Sequence, residues 1–287
     1  MNKIENINPK YSKQEIKNFK NEFIFTEAFV ELLKQTITLL YLIVDEKYCD
    51  ENGDPKKITK NEAIIGGNLT RIIKLNTSLL QNICDRKLEI CYILHRCLLE
   101  TSINIQYMLL EGEDNVLRNY IKYSLITEKG LWNTIKDNIK ERGGDILDIE
   151  VRMNKSIEKS FDSSDFDLND INRSSKWKSL SKRSDIVGGE MLYNVLYGIS
   201  SHSIHGNWQD ILFNNLEKVE GGFKLNLEWN EPKPQIMETS ILFNLIIVKL
   251  FVEKEFTEKK ELFLHKVKLL LNYFENLRNE HEKFIGK

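Results

Sequence analysis

The scarcity of proline constrains the fold of this chain more than any other feature of the sequence. There are four prolines in 287 residues, and none lies between Pro55 and Pro232. Because proline interrupts a helix more strongly than any other residue, long helices are permitted over that whole stretch. Apolar residues recur within it at helical spacing, as in Leu117, Ile121 and Leu125, which is typical of amphipathic helices. The sequence therefore predicts an all-α fold, a multi-helix bundle.

The same spacing predicts where the helices lie, and two segments depart from it. We predict helices at residues 12–24, 26–47, 58–82, 84–111, 113–141, 145–160, 186–204, 207–217, 234–255 and 257–284. Residues 162–181 are rich in Ser, Asp and Asn, which indicates an exposed connection. Residues 218–228 alternate in polarity around Gly221-Gly222, which predicts a small β-hairpin inserted among the helices.

The composition limits which classes of function this chain can have. Apolar residues make up 41% of the chain, enough for a packed core, and the formal charge of −2 provides no overall attraction to nucleic acid. Any basic site is therefore expected to be local. We expect residues 1–50 to form an N-terminal helical layer and residues 51–287 a bundle domain that carries the site, with one continuous domain as the alternative.

The sequence also predicts a cytoplasmic protein that does not bind a membrane. The first residues are polar and resemble no secretory signal. The most apolar stretches, Thr36–Val44 and Ile241–Val252, are too short to cross a bilayer. Glycine-rich phosphate loops and the common zinc-protease motif are missing from the sequence, so we predict no cofactor and no metal. A weaker alternative is a metal held by His202, His205 and Glu100.

One segment brings polar side chains together in an unusual stripe. Tyr193, Tyr197, Ser201 and His205 follow one another at four-residue steps, which places them on one face of a helix. Imidazole exchanges protons near neutral pH, so this stripe is the best candidate for acid or base chemistry. The alternative is a polar seam between helices, with His205-Gly206 forming a helix end that the glycine closes.

A second candidate helix contains Arg96 and Glu100, which share a face and are surrounded by apolar residues. The simpler interpretation is an ordinary ion pair. The alternative is that this pair faces Tyr197, Ser201 and His205 across the bundle, which would combine a cation, a carboxylate and a titrating base.

These two blocks, with an aromatic segment around Trp177 between them, resemble the bacterial domain-of-unknown-function family 5677 over roughly residues 65–215. The residues that carry the resemblance are Arg96, Glu100, Tyr107, Trp177, Tyr193, Tyr197, Ser201 and His205. That family is similar in its helical character to the HEPN superfamily, which includes RNA-cleaving toxins and antiviral defence effectors that are often dimeric. The closely spaced Arg and His of the HEPN signature have no counterpart in this sequence.

The resemblance implies metal-independent RNA cleavage by an effector of a bacterial defence or toxin-type system. In this hypothesis His205 is the base, Arg96 stabilises the charged phosphorane, and Tyr197 or Ser201 orients the phosphate. Glu100 holds Arg96 or acts as the acid, and His202 is the reserve base.

The expected substrate-binding residues are His202, Tyr193, Lys176, Trp177 and Arg183. Trp177 has core packing as its alternative role. The expected partners are RNA, a second copy of the chain that contacts the C-terminal helices, and a protein of the same defence system. The competing hypothesis is a non-enzymatic helical sensor or scaffold that binds a partner or a small ligand.

Overall fold

Helices dominate the structure, a computed structural model that describes residues 2–172, 176–188 and 204–286. The helices are α1 (Asn2–Glu5), α2 (Lys13–Lys17), α3 (Glu22–Tyr48), α4 (Lys60–Cys84), α5 (Leu88–Glu111), α6 (Asp114–Glu141), α7 (Asp148–Asp162), α8 (Leu180–Val187), α9 (Trp208–Asn214), α10 (Gln235–Glu255) and α11 (Lys260–Ile285). Two short strands, β1 (Leu216–Val219) and β2 (Gly222–Leu225), form an antiparallel hairpin. The prediction of an all-α bundle with a small hairpin is confirmed.

Local sequence signals explain where the long helices begin and end. Helix α4 starts at a capping box in which the Thr59 N–H donates to Glu62 Oε2 at 2.9 Å and the Glu62 N–H donates to Thr59 Oγ1 at 3.3 Å. The hairpin turn places Gly221 at a φ of +78°, a conformation that favours glycine. The predicted ends of α4, α6 and α10 lie within two residues of the observed ones.

The prediction of one helix over residues 12–24 is wrong. Helix α2 ends at Lys17, and α3 begins at Glu22 after a separate cap. The Asn21 side chain accepts a hydrogen bond from the Ile24 N–H at 3.0 Å, which stabilises a new helix start at this point. Of the predicted helix 186–204, residues 189–203 lie outside the described residues.

The chain divides into two compact units, with unit 1 formed by residues 1–110 and 180–287 and unit 2 by residues 111–179. In unit 1, helix α3 packs against α4, α10 and α11, and α10 also packs against α11. These helices include the C-terminal pair that the sequence analysis expected to contact a second copy of the chain. The expected division at residue 50 stays a prediction.

Unit 2 is centred on the packed pair α6 and α7. Its core extends into the segment 162–181, where Phe166, Ile171 and Trp177 are buried. Phe166 and Ile171 join the same apolar cluster as Leu125 of α6. The prediction that this whole segment is an exposed connection is therefore wrong, because a few apolar side chains anchor an otherwise polar segment to the helices.

Helix α10 is the one helix in the described ranges that is long and apolar enough to cross a membrane by length and composition. In the structure 61% of its most apolar window is buried within the protein. A helix at the centre of a packed core has the same composition, so this feature alone assigns no membrane.

A buried polar chain joins three helices at the centre of unit 1. The Asn76 side-chain amide of α4 donates to Asn244 Oδ1 of α10 at 3.0 Å, and the Asn244 amide donates to Thr36 Oγ1 of α3 at 3.1 Å. All three side chains are buried. The Thr36 hydroxyl donates onward to the Leu33 carbonyl at 2.9 Å. Since buried polar groups are costly when unpaired, these linked hydrogen bonds favour one relative placement of the three helices.

We predict that Asn244→Ala destabilises the protein by about 1–3 kcal/mol, because it leaves the Asn76 amide buried with one fewer acceptor and removes the donor to Thr36. Urea unfolding followed by circular dichroism measures the change. The matched control is Asn272→Ala on α11, where the side chain is exposed and the expected change is within about 0.5 kcal/mol. Equal losses in the two variants would contradict a special role for the polar chain.

Candidate functional site

Helix α5 presents a buried cation that is held by a carboxylate one turn away. Arg96 Nη1 donates to Glu100 Oε2 at 3.0 Å, as the i, i+4 spacing predicts. The Arg96 side chain is 9% exposed, whereas that of Glu100 is 47% exposed. Burying a guanidinium in apolar surroundings is costly, and the ion pair with Glu100 offsets part of that cost.

Helix α8 contributes two apolar side chains to a cluster shared by α5 and α10. Leu180 and Val187 of α8 contact the cluster that contains Leu99 and Ile103 of α5. Arg183 lies between those two α8 residues on the buried side of the helix and is 3% exposed. The predicted substrate-binding Arg183 is thus enclosed in helix packing and does not lie on an open surface. Two buried arginines, one on each helix, belong to this region of unit 1.

His205 ends a helix, as the simpler interpretation of its sequence expected. Ile204 and His205 are helical, and Gly206 follows with a φ of +53°, so the glycine closes the helix in the left-handed conformation. The Asn207 side chain then caps α9 by accepting from the Asp210 N–H at 3.1 Å. The imidazole of His205 is exposed and therefore accessible to a substrate.

Four predicted site residues lie outside the described residues, and these are Tyr193, Tyr197, Ser201 and His202. The predicted approach of Arg96 and Glu100 to this stripe stays a prediction. The structure brings Arg96 and Glu100 together and leaves His205 accessible.

The two remaining candidates, Lys176 and Trp177, belong to unit 2. Trp177 is buried and meets the Tyr120 ring edge-on, with 5.3 Å between the ring centroids. This contact matches its alternative role in core packing. Lys176 is exposed and lines a cavity of about 560 Å³ together with Arg118, Lys122, Asn115, Asn119, Ile126, Asp170, Ile171 and Asn172.

That cavity is a basic site that the sequence did not reveal. The Arg118 guanidinium and the Lys122 ammonium lie 4.9 Å and 4.8 Å from the centroid of the Phe166 ring, which positions both cations. Among the described lining residues, Lys176 brings the number of cations to three, against the single carboxylate of Asp170. Such a surface can bind phosphate. No regular spacing in the sequence relates the cations of α6 to Lys176, so only the fold shows that they line the same cavity.

His95 is a buried titratable group next to Arg96 whose site role the sequence did not indicate. Its side chain is buried, and burial lowers its pKa to about 4. The imidazole is therefore neutral at physiological pH.

The comparison with known protein families agrees with the family resemblance that the sequence analysis identified. A family of unknown function, DUF5677, matches residues 62–223, more than half of the chain. The protein therefore belongs to the DUF5677 family. Arg96, Glu100, Arg183 and His205 all lie in the matched region. No curated protein and no solved structure matches the chain.

We predict that His95 makes the protein less stable in mild acid. Between the unperturbed pKa of about 6.5 and the folded value of about 4, the unfolded chain binds a proton that the folded chain excludes. The free energy of unfolding therefore falls as the pH falls through this window, by up to about 3 kcal/mol from this group. Urea unfolding at several pH values between 7 and 4 measures the loss.

His95→Gln should flatten that pH dependence, while His265→Gln, which replaces an exposed histidine on α11, should retain it. An unchanged slope in the His95 variant would show that another group causes the loss.

Proposed function

We propose that the protein is a metal-independent ribonuclease, an effector of the kind that acts in bacterial defence or toxin-type systems and that works in the cytoplasm. The observation that carries the proposal is the buried Arg96 of α5, held by Glu100 one turn away. A guanidinium positioned in this way is suited to stabilise the charge that develops on a phosphate during cleavage. The accessible His205 in the same family region supplies the base.

The chemistry assigns one task to each group. The His205 imidazole removes the proton of the ribose 2′-hydroxyl, and the 2′-oxygen attacks the adjacent phosphorus. The Arg96 guanidinium stabilises the negative phosphorane, and Glu100 keeps the guanidinium in place. The bond from phosphorus to the 5′-oxygen then breaks, and water protonates the leaving oxygen. The products are a 2′,3′-cyclic phosphate and a 5′-hydroxyl. Tyr197 and Ser201 stay predicted as residues that orient the phosphate.

The basic cavity of unit 2 supports RNA as the partner. Arg118, Lys122 and Lys176 line it together with three asparagines, and amide groups can hydrogen-bond to phosphate and sugar oxygens. The chain has a net charge of −2, so a local cluster of this kind is what a polyanion requires.

The test is cleavage of a defined oligoribonucleotide and of tRNA by the purified full-length chain, with and without a chelator. We expect cleavage in both conditions, with cyclic phosphate ends, and a loss of roughly 100-fold or more in Arg96→Ala and in His205→Ala. His265→Ala, at an exposed histidine of α11, should leave the rate unchanged. Circular dichroism checks that each variant is folded.

A 2′-deoxy substitution at the scissile nucleotide should prevent cleavage, because it removes the nucleophile. Intact RNA under all conditions, or full activity in His205→Ala, would overturn the proposal.

A different observation favours the second candidate function, a non-enzymatic module that binds a protein partner. The apolar hairpin surface consists of exposed side chains on α9, the hairpin and the segment after it: Trp208, Phe213, Phe223, Leu225, Leu227 and Trp229. Leu225 is 77% exposed and Leu227 is 89% exposed. Trp208 and Phe223 contact each other edge-on at 5.8 Å between centroids, which makes part of this surface continuous. Large exposed apolar patches mark protein interaction sites.

The occupant that we propose for the apolar hairpin surface is a second copy of the chain. A two-stranded sheet leaves one open edge on each strand, and an open edge can pair with its own counterpart in a symmetric dimer. Such pairing would bring the exposed side chains of Phe223 and Leu225 in both copies together.

We predict that the unmodified chain forms a concentration-dependent dimer in sedimentation-velocity experiments. Leu227→Asp should weaken the dimer roughly tenfold or more, because it places a charge in the apolar contact. The control is Leu131→Asp in unit 2, at another exposed leucine, which should leave association unchanged. A monomer at all concentrations, or equal effects of the two substitutions, would rule out this dimer.

A further inference from the structure

Three metal-ligating side chains converge in unit 1, outside the region that defines the family. Glu238 lies in the first turn of α10, and His281 and Glu282 lie near the end of α11. Their potential ligand atoms, one from each residue, lie within 4.8 Å of one another. The family match ends at residue 223, so this cluster belongs to a part of the chain that the match does not cover.

The histidine of this cluster is buried and has no hydrogen-bond partner in the part of the chain that the structure describes. His281 is 0% exposed, and neither ring nitrogen has a hydrogen bond to any described residue. Phe25 and Phe29 pack against the ring, with centroid distances of 5.0 Å and 5.9 Å, and restrict its orientation. An imidazole with two unpaired nitrogens in a packed core is costly unless something binds it.

Glu238 also has a buried polar atom without a hydrogen bond to the described residues. Glu238 Oε2 lies 3.5 Å from Arg278 Nε, whereas Glu238 Oε1 is buried and makes no hydrogen bond within the described ranges. Glu282 is exposed and contributes the third potential ligand. A carboxylate oxygen and an imidazole nitrogen close to each other thus both lack a hydrogen bond to the described residues.

Neighbouring charges hold the surrounding carboxylates in place. Lys233 Nζ lies 3.0 Å from Glu22 Oε2, and the other oxygen of Glu22 lies 4.0 Å from His281 Nε2. Arg278 holds Glu238 in a similar way. In metal sites, outer groups of this kind orient the ligands.

We propose that Glu238, His281 and Glu282 bind a divalent transition-metal ion of the zinc type. One imidazole nitrogen and two carboxylate oxygens form a three-ligand protein set, which leaves a further position for water. The set is too poor in oxygen ligands for calcium, which requires six or more. Bound metal would join the start of α10 to the end of α11, so its role is structural and independent of RNA cleavage.

The test uses the full chain after chelator treatment and dialysis, titrated with ZnCl₂ by isothermal calorimetry. We expect one zinc ion per chain and a rise in the melting temperature on binding. Glu282→Gln should weaken zinc binding roughly tenfold or more while leaving the apo protein folded, because Glu282 is exposed. His281→Asn should remove binding, and Co²⁺ in place of zinc should report the loss through its d–d absorption bands.

The matched control is His265→Asn, which replaces an exposed histidine of the same helix and should bind zinc like the unmodified chain. Absence of zinc binding by the unmodified chain would overturn the proposal. Equal zinc affinity in the unmodified, Glu282→Gln and His281→Asn proteins would also overturn it, since the metal would then be held elsewhere. None of these readouts involves RNA, so the result is separate from that of the ribonuclease test.

Discussion

The hydrogen-bonded chain of Thr36, Asn244 and Asn76 is the constraint on which unit 1 depends. Apolar contacts between α3, α4 and α10 favour burial, but they tolerate small rotations and shifts of one helix along another. A buried amide tolerates such rotations and shifts poorly, because the loss of its hydrogen-bond partner costs about 1–3 kcal/mol. The polar chain therefore selects one register for the three central helices, and α11 packs against two of them.

Each of the two candidate sites of unit 1 contains a polar side chain that is buried among apolar ones. Arg96 is retained in a mostly buried position by Glu100 on its own helix. His281 is retained in a fully buried position beside carboxylates from other elements, and its nitrogens lack hydrogen bonds to the described residues. Polar groups in such positions reduce stability unless they are paired. The arginine has its carboxylate, whereas the histidine has no hydrogen-bond partner among the described residues. We therefore propose phosphate chemistry for the first arrangement and metal binding for the second.

Much of the helical layout follows from local sequence. The lack of proline between Pro55 and Pro232 and the regular apolar spacing place α4 and α6 within two residues of their observed ends. The segment 162–181 shows where this reasoning fails. Its Ser and Asp content indicates exposure, but the burial of Phe166 and Ile171 depends on the surface that α6 and α7 present. The average polarity of a segment does not show that a few of its apolar side chains are buried.

The sequence by itself determined the helical class, the hairpin turn at Gly221, the pairing of Arg96 with Glu100, and the helix end at His205 and Gly206. Each depends on residues a few positions apart, whose geometry a helix or a turn specifies. The tertiary structure decided which residues meet over long separations. It brought Lys176 to the cations of α6, and it brought His281 to Glu238. The proximity of these residues depends on how the helices pack, and no local spacing in the sequence encodes it.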